Sequence, residues 1–184
     1  MRVISGSAKA RKLKSPPLST RPIMDRVKEA LFNILGVDVI DANVLDLFAG
    51  AGSVGIEALS RGARLATFVE MNDEALSVLR ENLRTTKLAG KARVVRENVF
   101  KFVKRDPVEL YDLVYVAPPQ YKELWSETMG HLDKRQFLTP KGAIIVQIHP
   151  REYRELELQL YEEVDQRKYG NTLLCFYERK QAAS

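Results

Sequence analysis

The chain has 184 residues, of which 45% are hydrophobic, and its formal net charge is +5. This length and composition suit one α/β domain with a substantial core. Every apolar run is shorter than the ~20 residues that cross a membrane, and the first residues lack the apolar region of a signal peptide. The single Cys175 cannot form an internal disulfide, and the distant His131 and His149 offer no metal-ligand spacing. We therefore expect one cytoplasmic domain, residues 1–184, that binds no metal.

The first 28 residues contain eight basic residues and a single acid, Asp25. Residues 2–5 and 11–14 alternate like two short strands, which predicts a small basic β-hairpin within an N-terminal arm, residues 1–19, ahead of a core, residues 20–184. A one-sided basic arm is typical of a surface that binds a phosphate backbone, although a solubilising tail would have the same composition. The candidate nucleic-acid contacts are Arg11, Lys12, Arg21 and Arg26.

Beyond the arm, strands and helices are predicted to alternate along the chain. Asp25 is expected to cap a helix that ends at Gly36, and Asn72 is expected to cap another. Strands are predicted at residues 43–48, 66–70, 92–96, 111–116 and 142–148, with a terminal hairpin at 163–168 and 172–179. Further helices are predicted at residues 53–61, 122–132 and 151–160. This alternation indicates an α/β fold with a mostly parallel, doubly wound sheet of seven strands and an antiparallel terminal hairpin.

The first core strand runs into a glycine-rich turn that contains Gly50, Gly52 and Gly55. Strand, glycine turn and helix form a site for a nucleotide, because glycines admit close backbone approach and a helix N-terminus offers free N–H groups. The spacing fits a dinucleotide, with Glu70 on a ribose, and it fits S-adenosylmethionine (SAM) equally well. Asp46 favours SAM, since its carboxylate would attract a cationic amino-acid moiety and repel a pyrophosphate.

Four residues fall at or just past the ends of predicted strands: Asp46, Glu70, Asn98 and Ala117. In a doubly wound sheet the carboxyl ends of the strands share one edge, where ligands bind. Just past the fourth strand stand Pro118 and Pro119, which lack N–H donors but keep carbonyl acceptors. Such acceptors could bind the N–H groups of an exocyclic base amine, with an aromatic ring beyond to stack the base; a merely rigid loop exit is the alternative.

These segments resemble the RsmD family, the small-subunit ribosomal RNA guanine-N2 methyltransferases. The resemblance is carried by T-R-P-x-x-D-R-V-x-E-A-L-F-N-I-L at residues 20–35 and by D-L-F-A-G-x-G-x-x-G-x-E-A-x-S-R-G-A at residues 46–63, with R-V-I-S-G at the start. It implies a Rossmann-like methyltransferase fold, SAM as donor, and ribosomal RNA or a small-subunit assembly intermediate as partner. By this match the cofactor-binding residues would be Asp46, Phe48, Ala49, Gly50, Gly52, Glu70, Met71, Asn98 and Val99.

The candidate catalytic segment departs from the family pattern of Asp or Asn, then Pro-Pro, then Tyr or Phe. The candidate catalytic residues here are Ala117, Pro118, Pro119, Gln120 and Tyr121. Ala117 lacks an acceptor and Gln120 lacks a stacking ring. Three interpretations stay open: the Pro118 carbonyl, Gln120 and Tyr121 take over these roles, the target differs, or the protein binds SAM and RNA with little turnover. A nicotinamide-dependent oxidoreductase is the remaining, less favoured alternative.

Overall fold

The computed structural model describes residues 1–16 and 23–181. Its strands are β1 Asn43–Leu47, β2 Leu65–Glu70, β3 Ala92–Arg96, β4 Tyr111–Val116, β5 Leu138–Ile148, β6 Tyr161–Tyr169 and β7 Thr172–Arg179. Its α-helices are α1 Asp25–Leu35, α2 Ser53–Ser60, α3 Asp73–Thr86, α4 Val99–Val103 and α5 Leu124–Leu132. Short 3₁₀ turns occur at Gly36–Val39, Ala89–Lys91 and Pro150–Glu152.

The sheet confirms the predicted architecture. Its seven strands lie in the order β3-β2-β1-β4-β5-β7-β6. The first five pair in parallel, and β7 pairs antiparallel with both β5 and β6. The chain order reverses between β1 and β4, so the carboxyl ends of these two strands form the crevice in which ligands of such sheets bind.

Two apolar clusters cover the two faces of the sheet. One contains Val44 and Leu113 with residues of α1, α2 and α3, and the other contains Leu45 and Val114 with residues of α5. Successive residues of β1 and β4 therefore point to opposite faces, as strand geometry requires. Both faces are buried, which explains why these strands read as nearly continuous apolar runs.

The predicted N-terminal hairpin is reduced to a single antiparallel bridge between Arg2 and Lys12. Beside this bridge, the Val3 N–H group binds the Arg11 carbonyl at 2.9 Å and the Leu13 N–H group binds the Met1 carbonyl at 3.0 Å. The segment also lies against α2, where Glu57 accepts the N–H groups of Ile4 and Ser5 at 2.8 and 3.0 Å. A Cβ at Gly6 would lie 1.8 Å from the Ser60 carbonyl oxygen, so only glycine permits this close approach. The predicted hairpin is therefore present in a shorter form, with one bridge in place of two regular strands, because α2 supplies part of the backbone partners.

The helix predicted at residues 151–160 is absent, and this prediction was wrong. A 3₁₀ turn at Pro150–Glu152 is followed by chain without regular structure up to β6. Leu156, Leu158 and Leu160 pack against the apolar cluster at alternate positions, a period typical of extended chain. The Asp133 carboxylate accepts the N–H group of Leu160 at 2.8 Å, which replaces a helical hydrogen bond.

Smaller differences concern the ends of helices and strands. Asp25 was expected to cap α1, but Met24 occupies the cap position and Asp25 lies in the first turn. Helix α5 begins at Leu124, two residues later than predicted. Strand β5 begins at Leu138, four residues earlier than predicted. Among the described residues, no helix has the length and apolar character needed to cross a membrane. The same part of the chain contains no cluster of three or more His, Cys, Asp or Glu side chains suited to a metal.

Candidate active site

A cavity of about 340 Å³ opens at the carboxyl ends of β1, β4 and β5. Its volume falls in the range of small-molecule sites, ~300–1,000 Å³. It brings together the glycine turn, the double-proline corner and the N-terminal segment. The lining residues used in the following argument are Asp46, Phe48, Ala49, Gly50, Tyr115, Ala117, Pro118, Pro119, Gln120 and Gln147, and Met1, Pro16, Ile23, Ser53 and Lys122 also belong to the wall.

Asp46 is a buried acid at the floor of this cavity, with 2% of its surface exposed. Its Oδ2 accepts the N–H group of Gly55 at 3.0 Å. Burial raises the pKa of Asp46 to about 8, the charge of Glu70 adds to the rise, and the Gly55 hydrogen bond opposes it. A buried carboxylate with no countercharge is costly, so a cationic group that enters the cavity would be stabilised beside it.

The glycine turn has the backbone geometry that its sequence predicts. Gly52 caps α2 with φ of +80°, and a Cβ there would lie 2.2 Å from a methyl carbon of Leu79. A Cβ at Gly55 would lie 2.3 Å from the Phe68 ring. These two glycines therefore allow α2 to begin directly above the sheet, so that the first turn of the helix faces the cavity.

Glu70 ties the glycine turn to the end of β2. Its carboxylate accepts N–H groups from Gly50 at 2.9 Å and from Met71 and Asn72 at 2.8 Å each. A carboxylate has about four acceptor positions, so three internal hydrogen bonds leave room for an additional donor such as a hydroxyl. Glu70 and Met71 are not among the cavity-lining residues and lie beyond its edge, on the β2 side.

Asn98 caps helix α4, a helix that the sequence analysis did not predict. The Oδ1 atom accepts the N–H group of Phe100 at 2.8 Å, and the side-chain nitrogen lies 3.6 Å from the Met71 sulfur. Val99 is buried as the first residue of α4. Because Phe100 meets the Phe48 ring edge-on at a centroid distance of 6.2 Å, this region adjoins the cavity wall at Phe48. The predicted cofactor residues thus form two adjoining groups, one in the cavity and one beyond it.

The corner at residues 117–121 is divided between the cavity and its rim. Ala117, Pro118, Pro119 and Gln120 line the cavity. Tyr121 does not, since its ring is 66% exposed and lies 5.5 Å from the ring of His149. The five candidate catalytic residues are therefore contiguous in the chain, but only four of them contact the cavity.

The sequence analysis missed two polar side chains at the cavity floor. The Tyr115 hydroxyl donates a hydrogen bond to Oε1 of Gln147, and both residues line the cavity. Burial, and then the charge of Asp46, raise the pKa of Tyr115 well above its usual range, so its hydroxyl stays protonated. Alternation along β4 places Tyr115 on the face of Ala117, and that signal was available in the sequence.

The structure describes three of the four candidate RNA-binding residues. Arg11, Lys12 and Arg26 are exposed, whereas Arg21 falls outside the described residues. Lys12 adjoins Leu13, whose N–H group binds the carbonyl of the cavity-lining Met1 at 3.0 Å. The exposed cations of the N-terminal segment therefore lie near the cavity and on the same part of the molecule.

The sheet order and the position of the cavity define the protein as a Rossmann-like methyltransferase. Its fold matches a solved structure from Escherichia coli described as "Putative methyltransferase yhhF", with a TM-score of 0.87, 35% identity and 98% coverage of both chains. Under the description "Conserved hypothetical protein 95", a family model matches residues 1–178.

Named relatives agree with this class. The chain is 40% identical to "Ribosomal RNA small subunit methyltransferase D" of Escherichia coli (strain K12) over 148 residues, which are 80% of this chain and 74% of that protein. It is 36% identical over 187 residues to "Putative rRNA methyltransferase YlbH" of Bacillus subtilis (strain 168), covering 98% and 100% of the two chains. The chain therefore belongs to the RsmD family of SAM-dependent methyltransferases, and the nicotinamide alternative is not favoured.

Proposed function

We propose that this protein transfers a methyl group from SAM to the exocyclic N2 amine of a guanine in small-subunit ribosomal RNA. The observation that carries the proposal is the single cavity that joins Asp46 to the double-proline corner. Relatives named as methyltransferases of ribosomal RNA support the substrate class. As in the sequence analysis, a free RNA or a small-subunit assembly intermediate would be the partner.

The residues present fit the chemistry of the donor. SAM supplies a methyl group on a positively charged sulfur and carries a cationic amino-acid end. Among the described residues, Asp46 is buried without a countercharge, so it would hold the ammonium group of that end, with Phe48, Ala49, Gly50 and Gly52 around it. The remaining acceptor position of Glu70 would take a ribose hydroxyl. The Val99 N–H group, at the start of α4 where helical N–H groups lack partners, would lie at the adenine edge with Met71 and Asn98.

The double-proline corner would bind the target amine. The Pro118 carbonyl accepts one N–H group of the amine, and Gln120 offers a second acceptor in place of the missing side chain at Ala117. Bound SAM would supply its methyl group to the amine nitrogen, its sulfur would leave as the neutral thioether, and the nitrogen would release a proton to water. Holding both reactants in line supplies much of the acceleration, so no strong general base is required.

Methyl transfer from radiolabelled SAM tests the proposal directly. We expect label in small-subunit RNA from cells that lack the enzyme, and comparison of protein-free RNA with assembling subunits identifies the better substrate. SAM binding without label on any RNA would contradict the proposal and favour a protein that binds both molecules with little turnover.

The departed motif predicts a specific gain of activity. Ala117→Asp combined with Gln120→Tyr restores a charged acceptor and a ring, and we expect the rate to rise about 10²-fold, since one such hydrogen bond contributes that much or more. Each single variant is the matched control. An unchanged rate in the double variant, with SAM affinity intact, would show that the departed residues do not limit catalysis.

A further inference from the structure

Tyr121 forms an aromatic platform beside the cavity. Its neighbours Gln120 and Lys122 line the cavity, whereas its own ring is 66% exposed to solvent. A base held against the double-proline corner would thus have the Tyr121 ring immediately outside the opening. An exposed aromatic ring beside a cavity is the feature on which proteins stack an unpaired base.

The ring is held in place by contacts on two sides. The His149 ring lies 5.5 Å away at an interplanar angle of 41°, within the distance range of interacting aromatic pairs. The Glu152 carboxylate accepts the N–H group of Tyr121 at 2.6 Å and that of His149 at 3.3 Å. One acid therefore fixes both halves of the pair, Tyr121 and His149, which we call the rim pair.

The backbone at Tyr121 is strained. Its φ is +60°, a conformation in which a bulky residue other than glycine is an outlier. Such strain persists only where surrounding contacts enforce it, commonly at ligand sites. The Glu152 hydrogen bond supplies such a contact, and its effect is to keep the ring at the rim and outside the cavity.

Two exposed cations, as well as the Glu152 carboxylate, lie beside the rim pair. Lys122 and Arg151 are exposed beside it, and Arg151 donates its backbone N–H group to Nδ1 of His149 at 3.1 Å. Sites for single-stranded nucleic acid combine aromatic rings, on which bases stack, with cations that bind the backbone. Both components are present within a few residues of the cavity opening.

We propose that the rim pair stacks the nucleotide adjacent to the target guanine, while the target base itself enters the cavity. This inference rests on the proposed function. Enzymes that modify a base extrude it from its stack, which leaves the neighbouring base without a partner. Tyr121 replaces that partner, and Lys122 and Arg151 bind the phosphates on either side.

Photochemical crosslinking locates the nucleotide on Tyr121. Wild-type protein bound to undermethylated small-subunit RNA is irradiated, digested and sequenced by mass spectrometry. We expect a crosslink from Tyr121 to a nucleotide next to the guanine that becomes methylated. A crosslink to that guanine itself, or a crosslink elsewhere on the protein without one at Tyr121, would overturn the proposal.

Steady-state kinetics of Tyr121→Ala provide the second measurement. Alanine keeps a Cβ and therefore the same backbone strain, so this variant removes only the aromatic ring. We expect KM for RNA to rise about tenfold, in line with ~1–3 kcal/mol per stacked base, while the SAM Kd remains that of the wild type. Tyr121→Phe is the matched control and should behave like the wild type, and His149→Ala should give a smaller rise in KM. An unchanged KM in Tyr121→Ala, or a loss confined to kcat, would contradict the rim pair as a flanking site.

The two proposals fail in different ways. If wild-type protein transfers no methyl group to RNA, the proposed function is wrong. The crosslink and the equilibrium RNA affinity of Tyr121→Ala can still be measured, because neither measurement requires turnover. Loss of RNA affinity in Tyr121→Ala, retained in Tyr121→Phe, would then still support the rim pair. Equal affinity of all three proteins would exclude it.

Discussion

At the scale of single residues, the most informative group is the Asp46 carboxyl. It is buried and receives one internal hydrogen bond, from Gly55. Its pKa of about 8 means that the carboxyl of the free protein is mostly protonated at neutral pH. Binding a cation there requires loss of that proton, so donor affinity and proton release are coupled.

This coupling predicts that SAM affinity depends on pH. Between pH 6 and 7.5 we expect the association constant to rise about tenfold or more as Asp46 ionises, and then to level off as the α-amino group of SAM deprotonates at about pH 8. Titration calorimetry at several pH values measures this. Asp46→Asn should bind SAM ~10–100-fold more weakly, because a charged hydrogen bond is lost, and should lack the rise. A SAM association constant of the wild type that does not change with pH would contradict the role of Asp46 as the acid that binds the cationic end of SAM.

The same pKa has a consequence for the stability of the free protein. Since the native pKa of Asp46 is raised from 3.8 to about 8, the native state binds more protons than the unfolded state between these values. The free energy of unfolding therefore falls as pH rises through this range. Asp46→Asn removes this contribution and should be more stable than the wild type at pH 8 without ligand, as measured by urea denaturation. Lower stability of the variant at that pH would show that other groups of the protein stabilise the ionised Asp46 carboxylate enough to offset the cost of its burial.

At the scale of elements, helix α2 organises the N-terminal half. Its Glu57 is fully buried and forms ion pairs with Lys28 of α1 at 3.3 Å and with Arg61 at 2.8 Å. Lys28 donates to the Ser53 hydroxyl at 3.1 Å, and Ser53 lines the cavity at the start of α2. Helix α2 thus connects the N-terminal segment, through Glu57, to the cavity.

Loss of Glu57 should therefore destabilise the protein strongly. Glu57→Ala leaves Lys28 buried without its counterion and removes the acceptor of two backbone N–H groups. We expect the free energy of unfolding to fall by ~3–5 kcal/mol, as measured by chemical denaturation. Arg93→Ala removes an exposed ion pair with Glu109 and should cost less than ~1 kcal/mol. Similar losses in the two variants would show that the buried network contributes no more than a surface pair.

At the scale of the whole molecule, positive charge collects on the N-terminal segment beside the cavity. Not all of it is available to a ligand, because Lys28 is buried, Arg2 pairs with Asp25 at 3.0 Å and Lys14 pairs with Glu81 at 2.6 Å. Arg11 and Lys12 remain exposed. These two side chains are consequently the exposed candidates of the N-terminal segment, which contributes Met1 and Pro16 to the cavity wall.

The salt dependence of RNA binding tests that assignment. Each phosphate contact contributes ~0.7–0.9 to the slope of log K against log salt, so Arg11→Ala with Lys12→Ala should reduce the slope by about 1.4–1.8. Lys91→Ala is the matched control, since Lys91 is exposed and directly precedes β3, at the amino ends of the parallel strands and away from the carboxyl ends where the cavity opens. Equal slopes for the wild type and the double variant would exclude both residues as phosphate contacts.

Local patterns in the sequence determined the order of the strands, four of the five α-helices, the glycine turn and the rim on which Asp46, Glu70, Asn98 and Ala117 lie. These features follow from periodicity, from the conformational freedom of glycine and from the rule that parallel strands end at one edge. Tertiary structure alone decided the burial of the Lys28–Glu57 pair, the docking of Ile4 onto Glu57, 53 positions away in the chain, and the extended path of residues 153–160. In each case a backbone or charged group binds a partner in a distant segment of the chain. A buried polar group is costly without a hydrogen-bond or ion-pair partner, and only the tertiary fold brings that partner close.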